Sequence, residues 1–295
     1  MAYDSIPRPE YPRPQFVRAD WLCLNGDWGF EADPGDSGAA RGLIEAASLT
    51  GTIRVPFCPE SSLSGIGCSD FLNAVWYKRE VTIPAAWRGN RVRLHFGAVD
   101  DEAWVWVNGR EVGRHRGGYT PFTCDLDEVA APGDRVTITV RARDDHRAVK
   151  PRGKQSCEYA NFRCLYTRTT GIWQTVWMEP VPAVYLDRPR ITPDVEGSRF
   201  HLELPLAGRR ADDLRVRAVL SDDRGEVSRA EAGASRDFTP VLDLPVPADR
   251  RRLWAPGDPF LYTLRIELLD AAGGRLDAFD SYAGLRSLAI DGRRV

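Results

Sequence analysis

Short runs of alternating apolar and polar residues, separated by Gly, Pro, Asn and Asp, are the feature that most limits what this chain can fold into. In the first 180 residues they occupy 74–83, 91–96, 103–107, 135–142 and 175–179. A period of two is typical of half-buried β-strands, whereas an amphipathic helix repeats every 3.6 residues. The sequence offers one short helix, at 41–47. The pattern therefore predicts an all-β protein.

The clearest hairpin signal is AWVWVNGREVG, residues 103–113, in which Asn108 and Gly109 join two strand-like runs. This dipeptide tolerates the positive φ angles that a type I′ turn requires. Many short strands with turn signals between them are typical of a β-sandwich or jelly roll.

A proline-rich stretch, EPVPAVYLDRP at 179–189, interrupts the strand pattern. A second set of runs follows it, at 199–206, 214–227, 238–246 and 261–282. A segment of about 100 residues with this pattern has the size of an immunoglobulin-like sandwich. We therefore predict a jelly-roll β-sandwich domain at 1–183 and an immunoglobulin-like β-sandwich at 184–284.

The composition argues against several classes of partner. The net charge of −2 implies no basic surface toward nucleic acid or anionic lipid. No apolar run approaches the ~20 residues of a membrane-spanning helix, and the N-terminus lacks the features of a secretory signal. The six Cys residues form no CxxC pair and the four His residues are scattered. We therefore predict no metal site and no cofactor, and a reducing, cytoplasmic location.

Six strings carry a resemblance to a known family. They are LNGDWGF (24–30), VPFCPES (55–61), NAVWYKREVTIP (73–84), VWVNGREVGRHRGGYTPF (105–122), TRTTGIWQTVWMEPV (167–181) and WAPGDPFLYTLRIEL (254–268). In order and spacing they resemble the N-terminal part of glycoside hydrolase family 2, the family of many β-galactosidases, β-glucuronidases and β-mannosidases. The resemblance covers nearly the whole chain, and we interpret these strings as signatures of the fold.

The resemblance implies an order of domains. In that family a jelly-roll sugar-binding domain precedes an immunoglobulin-like sandwich and then a TIM barrel that carries two catalytic Glu residues. The passage into the barrel resembles GLRSLAIDGRRV, residues 284–295. We therefore expect 285–295 to be the lead-in to a TIM barrel outside this sequence, with RSLAI and RRV as strands joined by Asp291-Gly292.

The carboxylates that could perform catalysis within this chain are Asp100-Asp101-Glu102 and Asp144-Asp145. A retaining glycosidase needs two carboxyl groups about 5–5.5 Å apart, and neighbours on a strand point to opposite faces. We interpret the first cluster as solvated loop or turn residues and predict no catalytic residue here. Since the resemblance places both catalytic Glu residues on the barrel, we expect the chain alone to be inactive.

The resemblance also implies where the jelly roll touches sugar. Asn73, just before the strand NAVWY, matches one family position, and Asp145, after VTITVRARD, loosely matches another, for which Asp144 is an alternative. Amide and carboxylate groups can hydrogen-bond sugar hydroxyls. Capping of a turn is the competing interpretation for these side chains.

A long polar loop at 147–171 contains several aromatic residues and six cations, including Arg152, Lys154, Arg163 and Arg168. Long loops on rigid sandwiches often carry function. These cations could recognise an acidic sugar, or they could shape a face that meets the barrel.

Two classes of function remain open. One is the non-catalytic N-terminal portion of a retaining β-glycosidase, completed by a TIM-barrel catalytic domain in cis or in trans. The alternative is a stand-alone carbohydrate-binding or adhesion module. The expected partners are carbohydrate, bound weakly by the chain alone, the barrel, and further copies of the chain, because open strand edges favour association.

Overall fold

The computed structural model describes residues 5–209, 211–235 and 238–289. Its ordered elements are β-strands, accompanied by single-turn 3-10 helices at Ser62–Ser64, Ala85–Trp87 and Ala248–Arg250. The prediction of an all-β protein is confirmed. Within the described ranges, no helix has the length and apolar character needed to span a membrane.

The predicted helix at 41–47 is wrong, because this segment forms turns over 41–45. Gly42 has a φ of +78°, which lies outside the right-handed helical region. The ammonium group of Lys78, on a neighbouring strand, donates hydrogen bonds to the carbonyls of Ile44 (2.9 Å) and Ala46. The carbonyls of Ile44 and Ala46 are therefore satisfied by a side chain and not by a helical backbone.

Contacts divide the chain into two compact units. Unit 1 comprises the residues up to Pro12 together with Asp20–Pro180, and unit 2 comprises Arg13–Ala19 together with the residues from Val181 onward. The chain thus begins in unit 1, supplies a short segment to unit 2 and then returns.

Unit 1 is a β-sandwich. Its strands are β1 (Leu22–Cys23), β2 (Gly26–Ala32), β3 (Gly51–Val55), β4 (Ala74–Thr82), β5 (Arg91–Phe96), β6 (Val99–Asp100), β7 (Glu102–Val107), β8 (Arg110–Arg116), β9 (Phe122–Asp125), β10 (Arg135–Arg143), β11 (Gly171–Ile172) and β12 (Val176–Val181). The six-stranded sheet has the order β3-β2-β4-β10-β7-β8, and the four-stranded sheet has the order β1-β12-β5-β9. β6 and β11 pair separately.

The core of unit 1 consists of the apolar side chains that alternate along these strands. Trp28, Tyr77 and Phe96 are among its largest fully buried members. The predicted hairpin is confirmed between β7 and β8, where Asn108 and Gly109 have φ angles of +51° and +78°. Those positive angles fix the register of the two strands, as a type I′ turn requires.

Unit 2 is a second β-sandwich. Its strands are β13 (Val184–Leu186), β14 (Arg190–Asp194), β15 (Arg199–Glu203), β16 (Leu206–Gly208), β17 (Leu214–Asp222), β18 (Gly225–Ala234), β19 (Val241–Pro245), β20 (Tyr262–Leu269) and β21 (Arg275–Ala283). A three-stranded sheet has the order β14-β15-β19, a four-stranded sheet has the order β18-β17-β20-β21, and β13 pairs with β16. Residues 284–289 form no strand, so the strand expected for RSLAI is wrong over 286–289, and Asp291-Gly292 and RRV lie outside the described residues.

A buried ion pair completes the interior of unit 2. Arg18 donates to both carboxylate oxygens of Asp277, at 3.1 and 2.8 Å, and also to the carbonyl of Leu186 at 2.7 Å. The two charged side chains are 6% and 5% exposed. The guanidinium lies over the ring of Phe16, 4.7 Å from its centroid. This bidentate geometry offsets the cost of removing both charges from water.

We expect Arg18→Met to lower the free energy of unfolding of unit 2 by about 3–5 kcal/mol, because Asp277 would remain buried without its cation. Urea unfolding followed by circular dichroism measures this change. The matched control is Arg229→Met, which breaks the exposed pair between Arg229 and Glu226 and should change the free energy of unfolding far less, because solvent screens this pair. Equal losses in the two variants would contradict the role given to Arg18.

Candidate functional site

The antiparallel register of the six-stranded sheet brings polar residues together at one end of unit 1. Arg143 of β10 pairs with Ala74 of β4 and with Glu102 of β7. The ladder then continues one residue further, because Asp144 N donates to Asn73 O at 2.9 Å and Asp101 N donates to Arg143 O at 3.3 Å. Asn73, Asp144 and Asp101 are therefore held side by side by the backbone.

Three carboxylates are buried at this end. Asp100, Asp101 and Asp144 are 3%, 5% and 7% exposed. The interpretation of Asp100 and Asp101 as solvated loop or turn residues is therefore wrong. The burial is possible because a long loop, residues 144–170 between β10 and β11, covers them with polar partners.

Lys150 supplies the positive charge to this acidic cluster. Its ammonium group donates to Asp144 Oδ1 and lies 3.7 Å from Asp101 Oδ2. The Lys150 side chain is only 4% exposed. The second oxygen of Asp144 accepts a hydrogen bond of 3.5 Å from Thr170 Oγ1. Both oxygens of Asp144 thus have partners within the protein.

Asp100 is held by Gln155 and by close packing. Gln155 Nε2 donates to Asp100 Oδ2 at 2.7 Å and lies 3.1 Å from the Tyr119 hydroxyl, while Gln155 Oε1 accepts from Thr169 N at 2.9 Å. A Cβ atom on Gly118 would lie 2.5 Å from the Asp100 carboxyl group. A larger residue at 118 would therefore displace this carboxylate.

The electrostatic environment raises the pKa of Asp100 to about 6. Burial is the main cause, and the neighbouring carboxylate of Asp144 adds to it. The hydrogen bond from Gln155 and the charge of Lys150 act in the opposite direction but do not cancel the effect. One cation accompanies three buried carboxylates, so protonation of Asp100 relieves repulsion.

The four cations of the long loop that could meet an acidic sugar divide into two groups. Arg152 donates to the carbonyls of His146 (2.7 Å) and Ala148 (2.5 Å). Arg168, which is buried, donates to backbone carbonyls that include Ser156 O at 3.5 Å and lies 3.9 Å over the ring of Phe71. These two arginines hold the loop itself. Lys154 and Arg163 are exposed and remain able to meet an acidic group.

The three residues predicted to touch sugar have different surroundings. Asn73 is half-buried, and its amide donates to Pro34 O at 3.2 Å. Asp144 is buried and bonded as described above. Asp145 is half-exposed, and its Oδ1 accepts from Arg147 N at 2.9 Å, which lowers its pKa. Asp145 thus caps a turn. Asn73 and Asp145 are both partly exposed, whereas Asp144 is buried.

The sequence analysis did not identify the tyrosines near this end as candidate site residues. Tyr119 and Tyr166 are 44% and 46% exposed, and Gly153 approaches both hydroxyl groups. Tyr119 also contacts the ring of Trp173 edge-on, with a centroid distance of 5.9 Å. Exposed aromatic rings beside amide and hydroxyl groups are suited to an amphipathic ligand such as a sugar. The aromatic content of the loop was the available signal.

Two family models match this chain. Residues 68–177 match the sugar binding domain of the glycosyl hydrolases family 2, and residues 184–286 match a second domain of glycosyl hydrolases family 2. Together they cover well over half of the chain. The chain belongs to glycoside hydrolase family 2.

Curated relatives in this family include several glycosidases. A β-glucuronidase of Paenibacillus borealis is 29% identical over 288 residues, which are 92% of this chain and 46% of the relative. A β-glucuronidase of Canis lupus familiaris is 26% identical, with 96% and 47% covered. A β-galactosidase of Thermoanaerobacter pseudethanolicus is 24% identical, with 74% and 29% covered. The chain spans about half the length of the β-glucuronidases that it matches.

Solved family members share the fold. The β-glucuronidase from Ruminococcus gnavus in complex with D-glucuronic acid superposes with a TM-score of 0.72 and 22% identity, covering 92% of this chain and 47% of that one. The same enzyme in complex with uronic deoxynojirimycin gives a TM-score of 0.74 at 22% identity.

The raised pKa of Asp100 makes stability depend on pH. The folded chain retains a proton that the unfolded chain loses near pH 3.8, so stability should fall as pH rises from about 4 to about 6. We expect Asp100→Asn to be more stable than the wild type at pH 7.5, by up to roughly 3 kcal/mol, and equal to it near pH 4. Urea midpoints across this range measure the difference.

Asp145→Asn is the matched control for that measurement. The pKa of Asp145 is lowered, so its contribution is present above its unfolded pKa and is lost as pH falls. This variant should be slightly less stable at neutral pH. A gain in stability from Asp145→Asn equal to that from Asp100→Asn would contradict the assignment of the effect to Asp100.

Proposed function

We propose that this chain is the non-catalytic, carbohydrate-binding portion of a retaining β-glycosidase of the β-glucuronidase or β-galactosidase type. The observation that carries the proposal is the state of the carboxylates at the end of unit 1. Asp100, Asp101 and Asp144 are buried beneath a loop and bonded to Gln155, Lys150 and Thr170. The two catalytic carboxyl groups of a retaining glycosidase must instead flank an accessible glycosidic bond.

The proposed role of unit 1 is to contribute to a sugar site from one side. Asn73 lies at the sheet end with its amide toward a single carbonyl, and an amide can both donate to and accept from sugar hydroxyls. The exposed rings of Tyr119 and Tyr166 offer apolar surface for the faces of a sugar ring. Lys154 and Arg163 support preference for an acidic sugar, in keeping with the names of the β-glucuronidase relatives.

The proposed partner of this chain is a TIM-barrel catalytic domain, present in cis or supplied in trans. The relatives that the chain matches are about twice as long as the aligned segment, which leaves room for such a domain in those proteins. We also propose a reducing, cytoplasmic location, supported by six cysteines that are all unpaired.

The chain alone should not hydrolyse nitrophenyl β-glucuronide, β-galactoside or β-mannoside, because the carboxylates clustered at the end of unit 1 are buried and bonded within the protein. A colorimetric assay of the purified chain measures this directly. The matched controls are Asp100→Asn and Asp101→Asn, each of which removes one buried carboxylate from the cluster. Turnover in the wild type that either substitution abolishes would place catalysis in unit 1 and overturn the proposal.

Free monosaccharide should bind no more tightly than roughly millimolar. A few hydrogen bonds of ~1 kcal/mol each, on one side of a shared site, give no stronger affinity. Calorimetric titration of glucuronate and galactose into the wild type and Asn73→Ala measures this, and we expect the substitution to weaken binding several-fold. Micromolar binding that is unchanged in Asn73→Ala would instead favour a stand-alone carbohydrate-binding module.

A further inference from the structure

The long loop, residues 144–170, is attached to the rest of unit 1 mainly by polar contacts, together with ring contacts of His146 and Tyr159 to Phe71. The residues of this loop that are fully buried are Asp144, Gln155, Ser156, Arg168 and Thr170, and every one of them is polar. Its larger apolar and aromatic members face solvent, among them Val149 (100% exposed) and Tyr159 (69% exposed). Hydrophobic burial, the usual source of loop order, therefore contributes little here.

Two of the polar contacts that hold the loop end on buried carboxylates. Gln155 and Thr170 bond to the carboxylates of Asp100 and Asp144, so each contact requires a carboxylate to remain under the loop. Three carboxylates within one cluster repel one another, and removing them from water is costly. Without a cation at the centre, the cluster would favour exposure to solvent, and the loop would have to open.

Lys150 supplies the cation that keeps the loop closed over the cluster. It belongs to the loop, its side chain is almost fully buried, and its ammonium group contacts both Asp144 and Asp101. The other cations near this end pair with a different carboxylate. Arg143 and Arg116 pair with Glu102 at 3.3 and 3.4 Å and are partly exposed.

We propose that Lys150 is an internal counter-ion whose charge closes the 144–170 loop over the acidic cluster and thereby positions the end of unit 1 that faces carbohydrate. The second half of this statement rests on the proposed function, whereas the first half concerns the loop alone. Lys150 is a positioning residue in this scheme, since it acts through Asp144 and Asp101 and touches no ligand itself.

Lys150→Met tests the proposal, because methionine keeps the length of the side chain and removes only its charged end. Chymotrypsin reports loop opening, since the exposed residues Tyr159, Phe162 and Tyr166 are targets that no lysine substitution alters. When opening precedes cleavage, the rate follows the population of the open loop. We expect cleavage after these three residues, measured by mass spectrometry, to be at least about 100-fold faster in Lys150→Met.

The double variant Lys150→Met/Asp144→Asn separates charge from shape. It restores the net charge of the cluster to its wild-type value, because one cation and one carboxylate are removed together. We expect it to be cleaved at least tenfold more slowly than Lys150→Met. Lys154→Met, the same substitution at an exposed lysine of the same loop, should be cleaved at the wild-type rate.

The proposal is overturned if Lys150→Met is cleaved no faster than the wild type, or if the double variant is cleaved as fast as the single one. Should Lys150→Met not fold, Lys150→Gln replaces it, since glutamine also lacks the charge. The digestion contains no sugar, so its result is independent of the proposed function. Titration of glucuronate into the same variants tests the carbohydrate role separately.

Discussion

The register of the six-stranded sheet in unit 1 is the constraint on which the candidate site depends. Each strand pair fixes which residues emerge together at the sheet end, because a shift of one residue would exchange the two faces of a strand. The Asn108-Gly109 turn sets the β7–β8 register, and the β10 pairings extend it to Asn73. Polar residues that are far apart in sequence therefore meet as neighbours on one backbone ladder.

Aspartate is usually exposed in folded proteins, but at this end of the sheet three aspartates are buried. Exposed aspartates cost little and contribute little, but Asp100, Asp101 and Asp144 are nearly inaccessible. Their presence is compatible with folding only because the loop brings its own donors and one ammonium group. The loop and the acidic cluster thus stabilise each other.

The strands and the principal hairpin could be predicted from sequence because period-two alternation and Asn-Gly turns are local signals. The segment 41–47 could not, since its helical pattern is overridden by Lys78, a residue that is distant in sequence. The burial of Asp100 and Asp101 also escaped prediction, because it depends on Gln155 and Lys150 from a loop with no periodic pattern. Family resemblance pointed to Asn73 and the Asp144-Asp145 pair, but only the fold distinguishes a bonded carboxylate from one that caps a turn.

The pairing of Arg18 with Asp277 joins residues separated by 259 positions along the chain. During synthesis this ion pair can form only after residue 277 has left the ribosome, so the early arginine must wait for its carboxylate. Contacts of such long range slow folding, because the loop between them must close first. They also restrict evolution by domain shuffling, since excising the residues from Val181 onward would leave Asp277 without its cation. Unit 2 is therefore incomplete without the segment Arg13–Ala19, which comes before most of unit 1 in the sequence.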